Sequence, residues 1–471
     1  MRTAEIDTEI VESNPWWRDP ETWERRDVQL GVARSSPLAY EPRPLADLTS
    51  GGLYILRGPR RVGKSTTLKQ LVRERILAGV APRTILHISV EGRSAQDVAD
   101  IVRRAAERWL AGAPGERLWL IDEITGVHGD WPATIKRLRD HHPSIALDTV
   151  VLTGSSSMKF DEARKLLAGR RRVTRSDRVL FQMSFVDVAV TLGVDLPTSP
   201  NLDIPDLVDD EAMEAVVSEY RPWMPALVDG WDRYLHVGGY PQSVAADMRE
   251  EAESPGVLSE TLWDVIHGDA FAGSGLTQTQ TQAILRVLTS SLTSLLSVHA
   301  VARDAVLADR TAAERLDALR RGFLVFPVHR EQGLAPKPRA QSKWYFTDPQ
   351  LARLASTRGA GQPPDLSRVS EQQLALAILR SLERRSAGAA IRHDRLLHYR
   401  SSTRAEIDFV SPDFASTCVE SRFVDHGWGR AFQTIEASGR STGLVATHSG
   451  LRRHDGGWAI PAGLLAFLLG S

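Results

Sequence analysis

Short apolar runs alternate with helical periodicity along the first third of the chain. Four runs are typical of buried strands: Leu53 to Leu56, residues 84–90, Leu118 to Ile121, and residues 149–156. Between the first two runs, apolar residues recur at helical spacing until Gly79, where a helix stop is expected. Because apolar strands alternating with helices favour a parallel sheet covered on both faces, the pattern predicts an α/β fold here.

The middle of the chain has a different pattern of apolar and polar residues. Residues 184–250 have the pattern of helices joined by loops, and residues 282–350 that of three helices followed by two strands around a proline-rich tip. The second pattern is typical of a winged helix, whose third helix often enters the major groove. That helix has a net charge of +1, so DNA binding and protein packing are equally favoured. Its charged residues are Glu314, Arg315, Asp317, Arg320 and Arg321.

Residues 370–385 are predicted to form a helix near the C-terminal end. Ser370 and Gln373 have the spacing of a capping box at its start. Glu371 lies three and four residues before apolar positions of the stripe, which places it on the core-facing side. A carboxylate directed inward needs a partner or a metal ion.

Two strand-like acidic segments follow this helix. Glu406 and Asp408 share one face of the first segment, and Glu420 and Arg422 share one face of the second, because side chains alternate along a strand. Carboxylates placed in this way can hold a magnesium ion against a phosphate. The pattern therefore raises the question of a nucleic-acid cleavage site.

The stretch after the first strand carries the strongest chemical signal. It runs Gly58, Pro59, Arg60, Arg61, Val62, Gly63, Lys64, Ser65, Thr66, a complete G-x-x-x-x-G-K-S between a strand and a helix. Glycines let backbone N–H groups close around phosphates, and a helix N-terminus favours negative charge. We expect Lys64 to reach the β- and γ-phosphates of ATP and Ser65 to ligate Mg²⁺.

The third strand supplies the second half of such a site. It ends in Asp122, expected to hold Mg²⁺, and Glu123, expected to orient the attacking water. Thr153 and Ser155 end the fourth strand, where a polar group beside the phosphate loop would sense the γ-phosphate. Simple turn chemistry explains these two residues equally well.

Composition narrows the class of protein. The 471 residues predict two to four domains, and a formal net charge of −1 means that any nucleic-acid site depends on local clustering. The single cysteine, Cys418, excludes a disulfide framework and a cysteine-based zinc site. The N-terminus does not have the pattern of a signal peptide, and no apolar run is long enough to span a membrane. We therefore expect a cytoplasmic protein.

Several blocks together resemble a known family. GPRRVGKST, LIDEI, LTGSS and LAGRRR (167–172) are similar to AAA-type ATPases of bacteria and archaea. Three later blocks, at residues 234–244, 345–353 and 399–410, resemble the subgroup with a C-terminal nuclease-like domain of unknown function. The resemblance implies a helical lid and a restriction-endonuclease-like C-terminal α/β domain. With the winged helix, the expected domains are 1–50 (a tryptophan-rich extension), 51–255 (ATPase and lid), 256–358 (winged helix) and 359–471 (nuclease-like).

The resemblance also implies roles for individual residues. Arg170 matches an arginine that acts on the γ-phosphate across a subunit interface, which requires a homo-oligomer, a hexameric ring being one arrangement. Glu371, Asp408 and Glu420 match the carboxylates of the nuclease-like fold. Arg422 stands where that pattern has lysine, and arginine cannot lose a proton at neutral pH. We therefore expect cleavage to be impaired or absent.

These observations predict an ATP hydrolase that remodels or translocates branched or single-stranded DNA. Two alternatives stay open: an ATP-dependent switch with an inactive nuclease-like domain, and an ATP-gated, metal-dependent nuclease. Basic clusters at residues 103–104, 136–142 and 170–175 either line a ring pore or form a solvated face. The tryptophans around residue 16 are expected to pack onto another domain or subunit, with base stacking as an alternative.

Overall fold

The computed structural model describes residues 3–113, 115–155, 163–249, 255–271, 274–359, 361–385, 394–402 and 405–471. The end of the strand predicted at 149–156, and part of the block at 399–410, lie outside this set. The described residues fall into two compact units, one ending at Phe181 and the other beginning at Gln182. The four domains predicted from the sequence stay a prediction.

The first unit is built on a parallel sheet. Its described helices are α1 (Thr3–Glu12), α2 (Val28–Ser35), α3 (Lys64–Leu77), α4 (Ala95–Arg104), α5 (Trp131–His141) and α6 (Pro143–Leu147). Its strands are β1 (Leu53–Arg57), β2 (Ile85–Ser89), β3 (Leu118–Asp122), β4 (Thr149–Gly154) and β5 (Asp177–Val179). They lie in the order β2–β3–β4–β1–β5, and every neighbouring pair is parallel. The four predicted strands are confirmed to within two residues.

Burial explains the continuous apolar runs. All residues of β1, β3 and β4 are buried, as expected for central strands with both faces covered. Parallel strands end at the same edge, so the loops that follow β1, β3 and β4 meet there. This arrangement brings the phosphate loop and the acidic end of β3 together.

The N-terminal segment closes the free edge of this sheet. The Asn14 side chain accepts a hydrogen bond from the His87 N–H (2.7 Å) and donates one to the His87 carbonyl (2.9 Å). The indoles of Trp16 and Trp17 both donate to the Ile85 carbonyl, at 3.1 and 2.9 Å. The tryptophans therefore pack onto the domain that follows them in sequence, one of the two predicted packing partners. Their burial removes them from base stacking.

The second unit combines helices with a mixed sheet. Its described helices are α7 (Phe185–Thr191), α8 (Asp210–Tyr220), α9 (Met224–Val237), α10 (Pro241–Met248), α11 (Pro255–Ile266), α12 (Gln278–Ser290), α13 (Val298–Ala305), α14 (Asp309–Arg321), α15 (Pro349–Arg358), α16 (Leu366–Arg385), α17 (Gly429–Ala437) and α18 (Ala462–Leu468). Its strands are β6 (Leu295–Leu296), β7 (Val325–Gln332), β8 (Ala335–Pro336), β9 (Ser342–Phe346), β10 (Leu397–Arg400), β11 (Glu406–Val410), β12 (Val419–Ser421), β13 (Gly443–Thr447), β14 (Arg452–His454) and β15 (Gly457–Pro461).

One sheet joins the two C-terminal regions predicted from the sequence. The strands follow the order β14–β15–β13–β12–β11–β10–β7–β9–β6, and β8 pairs with β7. The β7–β9 hairpin is antiparallel, whereas β10 adds to β7 in parallel through Leu397 opposite His329. The hairpin of the predicted winged helix is thus continuous with the strands that carry Asp408 and Glu420.

The predicted start of the C-terminal helix is wrong. Helix α16 begins at Leu366, four residues earlier, and Asp365 accepts a hydrogen bond from the Arg368 N–H at 3.1 Å. Ser370 and Gln373 lie inside the helix. They accept hydrogen bonds from Trp231 (3.0 Å) and Tyr234 (2.9 Å) of α9, so their role is to join two helices.

None of the helices in the described part of the chain combines the length and apolar character that crossing a bilayer requires.

Candidate nucleotide site and carboxylate cluster

The backbone of the loop between β1 and α3 needs its glycines. Gly58 has φ +152°, and a Cβ atom there would lie 2.0 Å from the Leu180 carbonyl oxygen. Gly63 has φ +96° and caps the start of α3. Any larger residue at position 58 would collide with backbone, and both torsions are in the region that favours glycine. The loop therefore turns sharply and leads directly into the N-terminus of α3.

Lys64 is the first residue of α3, and its ammonium lies against the loop. Its Nζ donates to the carbonyl oxygens of Gly58 (3.0 Å) and Pro59 (2.8 Å), and the residue is buried. A phosphate held by the loop would meet this ammonium together with the free N–H groups of the helix start. The donor set therefore fits an anion, and a polyphosphate in particular.

Asp122 is surrounded by residues from two neighbouring strands and from α3. Its carboxylate accepts a hydrogen bond from the hydroxyl of Thr153, lies beside the side chain of Ser65 and is 3.8 Å from His87 Nε2. Burial alone would raise the pKa of Asp122, but the contacts with His87, Thr153 and Ser65 outweigh it and lower the pKa to about 2. The side chain is therefore ionised at neutral pH. A hydroxyl beside a carboxylate is an oxygen-donor pair of the kind that Mg²⁺ takes.

Glu123 follows at the end of β3 in a left-handed conformation, with φ +54°. Its backbone N–H donates to Asp122 Oδ1 (3.1 Å) and to Thr153 Oγ1 (3.2 Å), which accounts for this conformation. Burial raises the pKa of the Glu123 carboxyl. An acid with a raised pKa is better suited to accept a proton from water than an exposed one.

Thr153 contacts Asp122 and the backbone of Glu123 at the end of β3, so the structure brings it into the site. Ser155 is buried one residue beyond β4. The role of sensing the γ-phosphate stays a prediction for both residues.

Arg170 lies apart from this network. Its guanidinium forms a two-pronged ion pair with Asp140, at 2.7 and 3.1 Å, and the side chain is about one-third exposed. The neighbouring Arg171 pairs with the buried Asp177 at 2.7 Å. Within one chain, therefore, each of these arginines already has an acidic partner. The role of Arg170 across a subunit interface stays a prediction.

Sequence reasoning missed the charged residues behind Asp122. His87 lies in β2, and Lys69 of α3 pairs with Asp27 at 3.2 Å while its ammonium lies 5.0 Å from the Trp16 ring. Burial lowers the pKa of both Lys69 and His87. The signal was present: His87 interrupts an apolar strand, and Lys69 follows Ser65 by one helical turn on a partly apolar stripe.

Comparisons with known proteins agree with this geometry. The model of a family described as an AAA domain matches residues 50–188. That range contains the phosphate loop, Asp122, Glu123 and Thr153. This part of the chain has the fold of a P-loop ATPase and is similar to AAA domains. A second model, for a domain of unknown function, matches residues 228–361, and a search of curated proteins found no match.

Solved structures with similar folds were also found. A Walker-type ATPase of Pyrococcus abyssi is 14% identical over 72% of this chain and 95% of its own, with a TM-score of 0.32. The ORC2 protein of Aeropyrum pernix, solved with ADPNP and ADP, is 12% identical over 71% and 94%, with a TM-score of 0.34. A RuvB variant of Thermotoga maritima is 13% identical over 62% and 84%, with a TM-score of 0.28. All three TM-scores are below 0.5, so the assignment depends on the site and the AAA-domain match.

The C-terminal carboxylates gather around a residue that the sequence did not single out. Lys343 of β9 is buried, and its Nζ lies 2.6 Å from Asp408, 2.7 Å from Glu406 and 3.3 Å from Glu371. Tyr345, two residues on, donates its hydroxyl to Glu371 at 2.6 Å. We call Lys343, Tyr345, Glu371, Glu406 and Asp408 the Lys343 cluster.

The cluster has strongly perturbed acids and bases. Burial and the charge of Asp408 raise the pKa of Glu371 to about 8, so this carboxyl is largely protonated at neutral pH. Burial alone would lower the pKa of Lys343, but Asp408 and its neighbours raise it well above its usual value. Lys343 is therefore protonated at neutral pH, which makes it unsuited to act as a base.

Glu420 and Arg422 lie at the margin of the cluster. Glu420 accepts a hydrogen bond from the Asp408 N–H at 3.1 Å and pairs with Arg422 at 2.6 Å. Arg422 is more than half exposed, so it does not fill the centre. Glu371 and Asp408 both lie within 3.3 Å of the Lys343 ammonium. The resemblance places Arg422 with these carboxylates, whereas the structure places Lys343 at their centre.

In the described part of the chain, no group of three or more histidine, cysteine, aspartate or glutamate side chains is arranged to hold a metal ion.

Proposed function

We propose that the chain hydrolyses ATP with Mg²⁺ and uses the turnover to change its conformation. The observation that carries this proposal is the meeting of Ser65, Asp122 and Glu123 at the start of α3, beside the buried ammonium of Lys64. Phosphoryl transfer to water requires hydrogen-bond donors for the phosphates, oxygen ligands for a cation and an acid that can accept a proton. Lys64, the pair Ser65 and Asp122, and Glu123 match these three requirements.

Each residue has a definite task in this reaction. Lys64 turns from the loop carbonyls to the β- and γ-phosphates and neutralises charge there. Ser65 and Asp122 would supply oxygen ligands to Mg²⁺, and the ion would offset the charge that develops on the leaving phosphate. Glu123 aligns a water molecule and takes its proton as the water oxygen bonds to the γ-phosphorus and the bond to the bridging oxygen breaks. Thr153 holds the Glu123 backbone in place through the hydrogen bond at 3.2 Å.

Replacement of Glu123 by glutamine tests this assignment. The amide keeps the size of the side chain but cannot take a proton, so turnover should fall by at least about 100-fold. The affinity for ATP should stay within a few-fold of the wild type, as measured with a fluorescent nucleotide. The matched control is Glu107→Gln, the same change at an exposed position. Equal turnover in Glu123→Gln and wild type would contradict the role of Glu123.

The sequence predicts DNA as the partner. We therefore also propose that an oligomer of this chain uses ATP hydrolysis to remodel DNA. The helix α14 of the predicted winged helix offers little free charge, because Arg320 and Arg321 both pair with Asp317 at 2.5 Å. Turnover measured with single-stranded, duplex, forked and four-way DNA separates the candidates. Stimulation by one of these forms supports the remodelling task, whereas indifference to all of them supports the ATP-dependent switch.

A further inference from the structure

The ammonium of Lys343 lies at the meeting point of three carboxylates. Three oxygens, from Asp408, Glu406 and Glu371, lie 2.6 to 3.3 Å from Nζ, which matches the three donors of an ammonium group. The residue is 1% exposed and Asp408 is 7% exposed. Buried carboxylates need a cation or a proton, and here a residue of the chain supplies the cation.

Other groups of the chain also contact the carboxylates of Asp408 and Glu371. The second oxygen of Asp408 accepts a hydrogen bond from the Ser421 N–H at 2.9 Å. The Glu371 oxygen that faces Lys343 also accepts from Tyr345. Binding of a divalent ion at Asp408 would require the Lys343 ammonium to leave a site from which water is excluded. Glu406 and Glu371 would then lose the positive charge that now lies beside them.

The contact also joins separate parts of the sheet. Strand β9 is three strand steps from β11, and in a flat sheet they would lie about 14 Å apart. A lysine and an aspartate barely bridge such a distance, so the sheet must curve strongly for Nζ to lie 2.6 Å from Asp408. The cluster holds β9, β11 and α16 together at this bend.

We propose that Lys343 takes the place of a divalent cation in the C-terminal sheet, which makes this centre a metal-independent structural junction that does not cleave nucleic acid. The sequence predicts impaired cleavage because arginine replaces lysine at position 422. The present proposal instead depends on Lys343 of β9, which occupies the space between the carboxylates. Removal of the ammonium should leave a buried group of carboxylates with room for a metal ion.

The first test removes the ammonium and offers Mn²⁺ in its place. In the absence of nucleotide, Lys343→Ala in the full chain should unfold about 10 °C below the wild type, since one partner of a buried ion cluster is lost. Millimolar Mn²⁺ should recover several degrees of that loss. Wild-type protein and the double variant Lys343→Ala/Asp408→Asn keep the Ser65–Asp122 pair, so their response to Mn²⁺ gives the baseline, and neither should show a comparable gain in unfolding temperature. An equal response in wild type, or none in Lys343→Ala, would overturn the proposal.

Arg440→Ala serves as the matched control. Arg440 is a buried cation of the same unit with a single acidic partner, Glu331 at 2.7 Å. Loss of the Arg440 side chain should also lower the unfolding temperature. Because the single carboxylate of Glu331 is too few ligands for a divalent ion, Mn²⁺ should not raise that temperature again.

A second measurement does not depend on the folding of the lysine variant. Wild type and Asp408→Asn are compared for Mn²⁺ binding by titration calorimetry and for cleavage of linear and branched DNA with Mg²⁺ or Mn²⁺. We expect no Mn²⁺ binding that depends on Asp408, and no DNA cleavage that depends on Asp408. Either activity in wild type, lost in Asp408→Asn, would show that Lys343 coexists with a working metal site and would overturn the proposal.

Discussion

The residues around the Asp122 carboxylate come from distant parts of the sequence. Ser65 comes from α3, Thr153 from β4 and His87 from β2, and all three approach one carboxylate. Because strands in this sheet are parallel, their C-terminal ends meet at a single edge, and short polar side chains at those ends come into contact. The geometry of the nucleotide site therefore follows from the strand order.

Arg170 offers a test at the residue scale that separates two roles. If it acts on the γ-phosphate of a neighbouring subunit, Arg170→Ala should reduce turnover by about 10³-fold while ATP binding persists. Asp140→Ala removes the acidic partner but leaves the arginine, so its turnover should stay within about threefold of wild type. Steady-state hydrolysis by the two variants decides between the roles. Equal losses would mean that the ion pair, and not the free arginine, matters.

Individual residues also mark the limit of sequence reasoning. The loop from Gly58 to Ser65 and the acids at the end of β3 were predictable, since the chemistry of a phosphate loop is encoded in adjacent residues. Lys343 was not, because it is 65 positions from Asp408 and approaches it only through the curvature of the sheet. The one signal was a lone lysine in an otherwise apolar strand, next to Trp344 and Tyr345.

At the scale of elements, the N-terminal segment and β2 behave as one unit. An edge strand exposes unpaired N–H and carbonyl groups, and Asn14, Trp16 and Trp17 occupy those of Ile85 and His87. The segment also supplies Asp27, which balances Lys69 behind the nucleotide site. Its position in the fold is therefore that of an edge cover for the ATPase sheet.

Removal of the Asn14 side chain should show this role. Asn14→Ala leaves the buried N–H and carbonyl of His87 without partners, so the free energy of unfolding should fall by about 2 kcal/mol. Thr8→Ala, an exposed change in the same segment, should alter it by less than about 0.5 kcal/mol. Urea denaturation measures both values. Similar stability of the two variants would contradict the edge-cover interpretation.

The elements themselves were predicted with uneven success, for physical reasons. The strands of the first unit are continuous apolar runs because both faces are buried, so their boundaries were clear. Helix α16 was placed four residues too late, since Ser370 and Gln373 have the spacing of a cap but form hydrogen bonds with α9. A capping pattern and a polar contact between helices have the same sequence signature, and only the packing distinguishes them.

At the level of the whole molecule, the chain combines a unit that has the P-loop ATPase fold with a second unit whose sheet contains the Lys343 cluster. The strand pairing of β7 with β10 makes the hairpin of the predicted winged helix part of the C-terminal sheet. Sequence patterns could not reveal this pairing, because it joins residues almost 70 positions apart and has no local signature. The second unit thus has a fixed, internally balanced centre.

The measurement that tests the central claim most directly is binding and hydrolysis of ATP by the purified full-length chain with Mg²⁺. The account predicts that the chain retains ATP and releases phosphate, and that Lys64→Ala loses both activities because the ammonium no longer neutralises the β- and γ-phosphates. Removal of Mg²⁺ with a chelator should stop phosphate release, since Ser65 and Asp122 would then hold no ion. A wild-type chain that neither binds nor hydrolyses ATP with Mg²⁺ present would contradict the account.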